Sequence, residues 1–218
     1  MKHPIASLKR VATYVGLTLE PAQLSRLVQY AEWIEEEAIP AGGVGPQERD
    51  RLVDRHVADS LAFAAGWRKP PGSLLDIGSG VGLPGIPLAI THPETNVTLL
   101  DRAERRCRLA RRAVRVLGID NVVVKNGDEQ SVAGGWDAIV FRASLEPDEA
   151  LRTAAPLLAP GAVAVVGLSR TSRPERLPSP PEETAVDLIE IPAGVLDSPA
   201  WLLRMTRTNA ETPGNAPI

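Results

Sequence analysis

Four glycines within a short stretch are the residues of this chain whose spacing most clearly suggests chemistry. The sequence Leu74–Pro87, LLDIGSGVGLPGIP, places Gly78, Gly80, Gly82 and Gly85 directly after a short apolar run. Glycine permits a sharp turn after a strand and lets the backbone approach a bound molecule closely. A helix that begins behind such a turn offers free N–H groups at its start. The stretch therefore predicts a loop that binds a nucleotide-like cofactor.

Two cofactors fit the spacing of this loop. The residues from Gly80 to Gly85 match the GxGxxG fingerprint of dinucleotide-binding proteins, and Asp101 follows about 20 residues later, where an acid that binds the ribose belongs. The DxGxGxG pattern of Asp76–Gly82 matches the loop of enzymes that use S-adenosylmethionine (SAM) equally well. Spacing alone therefore does not choose between NAD and SAM.

The charges around the loop favour SAM. A carboxylate at Asp76 would repel a pyrophosphate, whereas it would attract the ammonium group of SAM, and Pro84 lacks an N–H that could hold a phosphate. Asp101, at the end of the apolar run VTLLD, would accept hydrogen bonds from the ribose hydroxyls, cap the helix that follows, or do both. The loop at residues 126–130 would then lie against the adenine. NAD remains the alternative.

The pattern around the loop predicts an α/β domain. We expect strands at residues 73–77, 97–101, 121–125, 137–141 and 162–168, and helices at residues 84–91, 103–117 and 146–158. Such alternation is typical of a parallel sheet with crossover helices. Residues 158–161 are predicted as a turn, residues 170–183 as a proline-rich surface loop, and residues 186–191 and 201–207 as a strand hairpin at one edge.

A helical segment is predicted before this domain, with boundaries at residues 1–66 and 67–207 and a frayed tail at residues 208–218. Its helices are expected at residues 5–17, 21–38 and 48–65, the second capped by Thr18 with Pro21 in its first turn. His56, Asp59 and Ser60 share one face of the third helix. A hydrolase assembles its triad from separate elements, so we interpret these three as a polar patch that fixes the helix to the domain.

Composition excludes several classes of protein. The chain has 218 residues, 44% of them hydrophobic, and a net charge of −3, so any contact with nucleic acid must be a local basic patch. The single cysteine, Cys107, excludes an intramolecular disulfide and an all-cysteine zinc site, which suits a cytoplasmic protein. We expect no metal site, no signal peptide and no membrane segment.

Arginines supply two candidate basic patches. In the helix at residues 103–117, one arc of about 120° carries Arg105, Arg108, Arg111, Arg112 and Arg115. This stripe could follow RNA phosphates or could be the solvated face of a crossover helix. The proline-rich loop carries a second set: Arg170, Arg173 and Arg176.

Three segments go beyond these general patterns. The sequence GSGVGLPGIPLA at residues 78–89 resembles the signature loop of the small-subunit (16S) rRNA guanine-N7 methyltransferase G family, also called the glucose-inhibited division protein B family. The sequence RHVADSL at residues 55–61 resembles the His-x-x-Asp-Ser helix of that family. VFRA at residues 140–143 resembles its Ser-Arg-Ala segment. The resemblance covers roughly residues 20–168.

The resemblance implies a class I SAM-dependent methyltransferase fold, Rossmann-like with a mostly parallel seven-stranded sheet, that methylates N7 of a guanine in small-subunit rRNA or the 30S particle. Guanine N7 carries a lone pair and no proton, so its attack on a methyl group needs alignment and no strong general base. Arg142 is the candidate catalytic residue. Together with the arguments from the residues, the predicted cofactor contacts are Asp76, Gly78, Gly80, Gly82, Leu83, Asp101, Arg102, Asp128, Glu129, Gln130 and Arg142.

The chain also departs from the family pattern. Ala41–Pro46 replaces an Asn-Leu-Thr segment, Asp128–Ser131 replaces Arg-Ala-Glu-Glu, and Gly167 stands where the family has a lysine. Two alternatives therefore stay open. One is a methyltransferase of the same fold that acts on another RNA or a small molecule, and the other is a non-catalytic protein that binds SAM or RNA.

Overall fold

The computed structural model describes residues 4–170 and 172–208. Within them lies a seven-stranded sheet in the order β3-β2-β1-β4-β5-β7-β6. The five strands β1 to β5 pair in parallel, and β7 runs antiparallel between β5 and β6, as the predicted edge hairpin requires. The strands are β1 (Ser73–Ile77), β2 (Asn96–Asp101), β3 (Val122–Asn126), β4 (Trp136–Arg142), β5 (Leu158–Gly167), β6 (Thr184–Ile191) and β7 (Ala200–Arg207).

Helices cover both faces of the sheet, which gives the predicted α/β architecture. They are α1 (Pro4–Tyr14), α2 (Pro21–Trp33), α3 (Ala58–Ala62), α4 (Gly85–Thr91), α5 (Glu104–Leu117) and α6 (Pro147–Ala154). Side chains of α1 to α5 share one apolar core with one face of the sheet, and α6 packs with the other face. Along β1, Leu74 belongs to the first core and Leu75 to the second, as the alternation of side chains along a strand requires.

The N-terminal helices belong to the same core as the sheet. Leu8, Leu27 and Leu61 are fully buried and cluster with Leu74 and Leu99. At about 25 cal/mol per Å² of buried apolar surface, each such leucine contributes about 2 kcal/mol to stability. The helical segment is therefore fixed against the α4–α5 face of the sheet, where it can form part of a site.

The start of α2 differs from the prediction. Glu20, not Thr18, is the residue before the helix, and its backbone N–H donates to Oε1 of Gln23 at 3.0 Å. Pro21 lies in the first turn as predicted, because its missing N–H is not needed there. The α-helical part ends at Trp33, and a π-helical turn, Ile34–Ala38, follows it directly.

The predicted helix at residues 48–65 is wrong as a single regular helix. The segment is 3₁₀ at Pro46–Arg51, π-helical at Leu52–Val57, α-helical in α3 and 3₁₀ again at Phe63–Gly66. A side chain of this segment donates a hydrogen bond to one of its backbone carbonyls: the Ser60 hydroxyl donates to the carbonyl of His56 at 2.6 Å. Such bonds compete with the regular helical ladder.

The turn predicted at residues 158–161 is wrong, because β5 already begins at Leu158, which pairs with Trp136. The register shifts between Trp136 and Ala138, and Gly161 takes a φ of +77°, which glycine adopts without strain. The glycine therefore lies within an irregular strand. The predicted frayed tail, apart from Thr208, lies outside the described residues. None of the helices in the described part of the chain is long and apolar enough to cross a membrane.

Candidate functional site

Two cavities open at the carboxyl ends of the parallel strands. Because β3, β2, β1 and β4 are neighbours in the sheet, the loops that follow them converge on one edge, where open α/β sheets bind their ligands. The larger cavity has a volume of about 780 Å³ and the smaller about 310 Å³. Both volumes are in the range of small-molecule sites. The cavities meet at residues that line both: Gly78, Arg106, Ala143 and Leu145.

The glycine loop is held in place by its own backbone. Five of its amides donate within the protein: those of Gly78 and Ser79 to the carbonyl of Leu100, that of Gly80 to Oδ2 of Asp101, and those of Gly82 and Leu83 to the carbonyl of Ser79. The first three donors fix the loop to β2, and the last two close the loop on itself. Because they are already engaged, they are not available to cradle a pyrophosphate.

Gly78 and Gly80 take left-handed backbone conformations for different reasons. Gly78 has a φ of +74°, and a Cβ there would lie 2.3 Å from Cβ of Ser144. Gly80 has a φ of +60° and lines the larger cavity, and apart from its two chain neighbours no described residue has an atom within 4 Å of where its Cβ would be. Gly78 thus leaves room for the loop after β4, whereas Gly80 leaves room for whatever occupies the cavity.

Tyr30 of α2 supports the loop from behind, although the sequence was not interpreted in this way. Its hydroxyl donates to the carbonyl of Val81 at 3.1 Å, and burial raises the pKa of the phenol well above its usual range, so it stays a donor. A Cβ on Gly82 would lie 2.4 Å from Ile86 and 3.3 Å from the Tyr30 hydroxyl. Gly82 is therefore a packing position in the described structure, since protein fills the space beside it, and its predicted cofactor contact stays a prediction. The sequence signal for Tyr30 was its spacing, three positions after Leu27 and four before Ile34, which puts it on their face of the helix.

Asp76 lies buried behind the loop and lines neither cavity, and its predicted contact with the SAM ammonium group stays a prediction. It shares a face of β1 with Leu74, so its side chain points toward α4. There Oδ2 accepts a hydrogen bond from the N–H of Gly85 at 2.8 Å, and the side chain is fully buried. Burial raises the pKa of Asp76 to about 7, against the opposing effect of the Gly85 hydrogen bond. Asp76 thus anchors the start of α4 behind the loop.

We expect Asp76→Asn to remove a pH dependence of stability. Between the unfolded pKa near 4 and the folded pKa of about 7, the folded carboxyl holds a proton that the unfolded chain has lost. This contribution to stability is therefore complete below pH 4 and is lost as the pH rises through 7. Asparagine keeps an acceptor for Gly85 and does not titrate.

The measurement is urea unfolding of both proteins at several pH values from 4.5 to 8. Relative to the variant, wild type should lose about 2–4 kcal/mol of unfolding free energy across this range. Asp59, whose pKa burial raises to about 6, titrates in both proteins and cancels in the difference. If the unfolding free energies of the two proteins change with pH in the same way, the raised pKa of Asp76 would be contradicted.

Most of the predicted acids meet at the smaller cavity. Asp101, Arg102, Asp128 and Glu129 line it, whereas Gln130 is exposed and does not, because its backbone turns back to donate to Oδ1 of Asp128. The predicted cofactor contact at Gln130 stays a prediction. Three carboxylates at one small cavity are acceptors for hydroxyl groups.

Asp101 organises this cavity. Oδ2 accepts from the N–H of Gly80 at 2.9 Å, and Oδ1 accepts from the N–H of Ala103 at 2.8 Å, just before α5. The guanidinium of Arg106 lies 3.2 Å from Oδ1. Asp101 therefore bonds the backbone just before α5, at the end of the helix where the sequence predicted a cap. Through its two carboxylate oxygens it joins the start of α5 to the glycine loop.

Arg142 lines the larger cavity and joins β4 to the irregular helical segment. Its guanidinium donates to the carbonyls of Arg55 at 3.0 Å and His56 at 3.5 Å, and lies 3.0 Å from Nδ1 of His56. Nε2 of the same imidazole lies 2.9 Å from a carboxylate oxygen of Glu48. We assign a neutral imidazole that accepts at Nδ1 and donates at Nε2, because burial and Arg142 lower the pKa of His56. Leu83 lines the same cavity.

Two residues of the predicted polar patch, His56 and Asp59, fix this segment to the domain, whereas Ser60 bonds within the segment. Asp59 contacts Nη1 of Arg170 through Oδ2 at 2.8 Å, and Arg170 also contacts Asp197 at 3.1 Å. The Arg170 side chain is only 12% exposed and lines the larger cavity, so any RNA contact that it makes would be made there. Arg173 and Arg176 lie exposed on the surface.

The arginine stripe of α5 is partly engaged within the protein. Arg105 donates to the carbonyls of Ala41 at 2.6 Å and Gly42 at 3.0 Å, and Arg112 contacts Glu37 at 2.6 Å. Arg111 contacts Glu104 at 3.0 Å. Arg105 therefore holds the Ala41–Pro46 segment beside the larger cavity, which Gly43 to Gly45 line. This arginine of the stripe has a structural role.

Comparison with known proteins gives a consistent result. The family described as rRNA small subunit methyltransferase G matches residues 23–175. Ribosomal RNA small subunit methyltransferase G of Acidothermus cellulolyticus is 36% identical over 137 residues, which cover 63% of this chain and 61% of the relative. The protein of the same name from Frankia casuarinae is 34% identical over 200 residues, covering 84% and 73%. The match to that of Mycobacterium sp. strain KMS spans 52% of the relative's length.

The fold has counterparts among solved structures. Cofactor-bound Rv0187 from MTB superposes with a TM-score of 0.59 at 19% identity, over 96% of this chain and 100% of that one. At such identity the likeness concerns the fold, which is that of class I SAM-dependent methyltransferases. The family match covers most of the sequence, including the glycine loop, the segment of His56 and the end of β4. The chain belongs to the rRNA small subunit methyltransferase G family.

Proposed function

We propose that this protein transfers a methyl group from SAM to N7 of a guanine in small-subunit rRNA. The observation that carries the proposal is the pair of joined cavities at the carboxyl ends of β1 to β4, with the glycine loop at their junction. A reaction between two bound molecules needs two compartments that meet at one point. Membership of the methyltransferase G family supports both the reaction and the substrate.

The smaller cavity suits the adenosine part of SAM. Its carboxylates, from Asp101, Asp128 and Glu129, accept hydrogen bonds of the kind that ribose hydroxyls donate. The loop amides are engaged within the protein, and the acids would repel a pyrophosphate. Both properties disfavour the NAD alternative. Gly80, which faces open space, leaves room for the rest of the cofactor.

The larger cavity suits the substrate base. When bound, SAM supplies a methyl group on a positively charged sulfur, and the lone pair of guanine N7 needs only to be aligned with it. The residues of the cavity perform that alignment: Phe63, Leu83 and Trp201 form apolar walls that exclude water. The neutral imidazole of His56, whose two nitrogens are both engaged, has no proton to accept from N7.

The proposed partner is rRNA within the small ribosomal subunit, which implies a cytoplasmic enzyme. Labelled SAM should transfer its methyl group to 16S rRNA when the protein is incubated with 30S particles that lack the modification. The labelled nucleoside should be identified as 7-methylguanosine by mass spectrometry. Calorimetry should detect binding of SAM and none of NAD. Bound SAM without label in RNA would favour the alternatives, a different substrate or a non-catalytic protein.

A further inference from the structure

Three buried polar atoms in residues that line the larger cavity have no hydrogen-bond partner among the described residues. One is Oγ of Ser79 in the glycine loop, and the other two lie outside that loop: Oδ1 of Asp59, an acceptor, and Nε1 of Trp201, a donor. More than nine in ten buried polar groups in native proteins are paired. An acceptor and a donor left unpaired beside one cavity therefore indicate a ligand that presents both a donor and an acceptor on one edge.

Asp59 is held in a fixed orientation with one oxygen left over. Oδ2 contacts Nη1 of Arg170 at 2.8 Å, and Arg170 is fixed in turn by the carbonyls of Ser198 at 2.5 Å and Pro199 at 3.2 Å. Burial raises the pKa of Asp59 to about 6 while Arg170 opposes the rise, so the group is predominantly a carboxylate at pH 7.5. It can only accept hydrogen bonds in that form.

We propose that Asp59 selects guanine, its free oxygen accepting a hydrogen bond from N1–H or from the 2-amino group, with the indole N–H of Trp201 donating to O6. This inference rests on the proposed function and specifies its substrate contact. Guanine presents two donors and one acceptor on its Watson–Crick edge, whereas adenine presents an unprotonated N1 that a carboxylate repels. A purine held by this edge keeps N7, on its opposite side, free to face the glycine loop.

The test compares two carboxylates that share one arginine. Asp59→Asn should lower kcat/KM for methyl transfer to 30S particles about 100-fold, because a buried site built to bond a substrate N–H loses much when it cannot. SAM binding by calorimetry should change less than about twofold. Asp197→Asn is the matched control, since Asp197 contacts the same Arg170 but lies 44% exposed and does not line the cavity. Its activity should stay within about threefold of wild type.

Base analogues identify the contact directly. The guanine that wild type methylates is located by mass spectrometry and replaced, in reconstituted particles, by inosine, which lacks the 2-amino group, or by 2-aminopurine, which lacks N1–H and O6. Wild type should discriminate at least about tenfold against one analogue, and Asp59→Asn should lose that discrimination. If Asp59→Asn does not fold, Trp201→Phe should lose discrimination against 2-aminopurine, which lacks O6.

The outcomes separate the inference from the proposed function. Wild type that binds SAM but labels no guanine overturns the proposed function, and the inference falls with it. Labelling by wild type together with unchanged discrimination in both variants overturns the inference alone. An Asp59→Asn protein that loses SAM binding, or an Asp197→Asn protein that loses as much activity, likewise overturns it, because Asp59 would then act only through the fold.

Discussion

Gly80→Ala is expected to weaken SAM binding at least about 100-fold, or about 2.7 kcal/mol, with only a small loss of stability. Gly80 has a φ of +60° and lines the larger cavity. Apart from its two chain neighbours, no described residue has an atom within 4 Å of the position that an alanine Cβ would take. A methyl group there does not collide with the protein. It occupies space that we assign to the cofactor, beside the loop amide that Asp101 holds.

The matched control is Gly118→Ala, at the end of α5. Gly118 has a φ of +61° and open space around its would-be Cβ, so both variants bear the same cost of a left-handed alanine, about 1 kcal/mol. Thermal unfolding should shift equally in the two proteins, and calorimetry with SAM should separate them. Equal SAM affinities in the two variants would contradict the assignment of the glycine loop to the cofactor site.

The loop and the sheet could be predicted because their determinants are local. Glycines after an apolar run that ends in an acid specify a turn at the end of a strand, and the period of apolar residues gives the crossover helices. Most bounds agree with the structure to within a few residues, as for α5 and β2. β5 begins at Leu158, four residues before the predicted start of this strand. The extra residues form an irregular stretch around Gly161, which local sequence patterns do not reveal.

The contacts that complete the site could not be predicted because they join distant parts of the chain. The hydroxyl of Tyr30 bonds Val81, 51 positions later, and Arg170 bonds Asp59, 111 positions earlier. Nothing in the spacing of either residue specifies its partner. The role of Asp76 was within reach, since alternation along β1 places it with Leu74 on the α4 side. Charge alone suggested a ligand contact.

The departure at Gly167 has a packing explanation. A Cβ at this position would lie 2.9 Å from the Phe63 ring and 3.6 Å from the carbonyl of Phe141. A lysine there, as in the family pattern, would have to displace that ring from the cavity wall. Two cations of this chain lie nearby: Arg142, which is paired with Gly167 in the sheet, and Arg170, which reaches Asp59 from the segment after β5. The aromatic wall and the glycine therefore depend on each other.

Arg142→Lys is expected to lower methyl transfer at least about 100-fold and unfolding free energy by about 2–3 kcal/mol. One planar guanidinium meets the carbonyl of Arg55 at 3.0 Å, the carbonyl of His56 at 3.5 Å and Nδ1 of that imidazole at 3.0 Å. An ammonium keeps the charge but cannot meet all three acceptors in that plane. The irregular helical segment that carries Asp59 then loses its link to β4.

This result distinguishes positioning from direct cofactor contact, for which the family pattern also offers Arg142. If Arg142 acts as a positioning residue, kcat falls while SAM affinity stays within about threefold, because its guanidinium bonds Arg55 and His56 and not the glycine loop. Arg204→Met is the control for loss of a partly buried arginine, since Arg204 pairs with Asp187 on the edge hairpin. Its activity should stay near wild type. A parallel loss of SAM affinity and kcat in Arg142→Lys would assign the guanidinium to the cofactor, and the wall that carries Asp59 would then need another support.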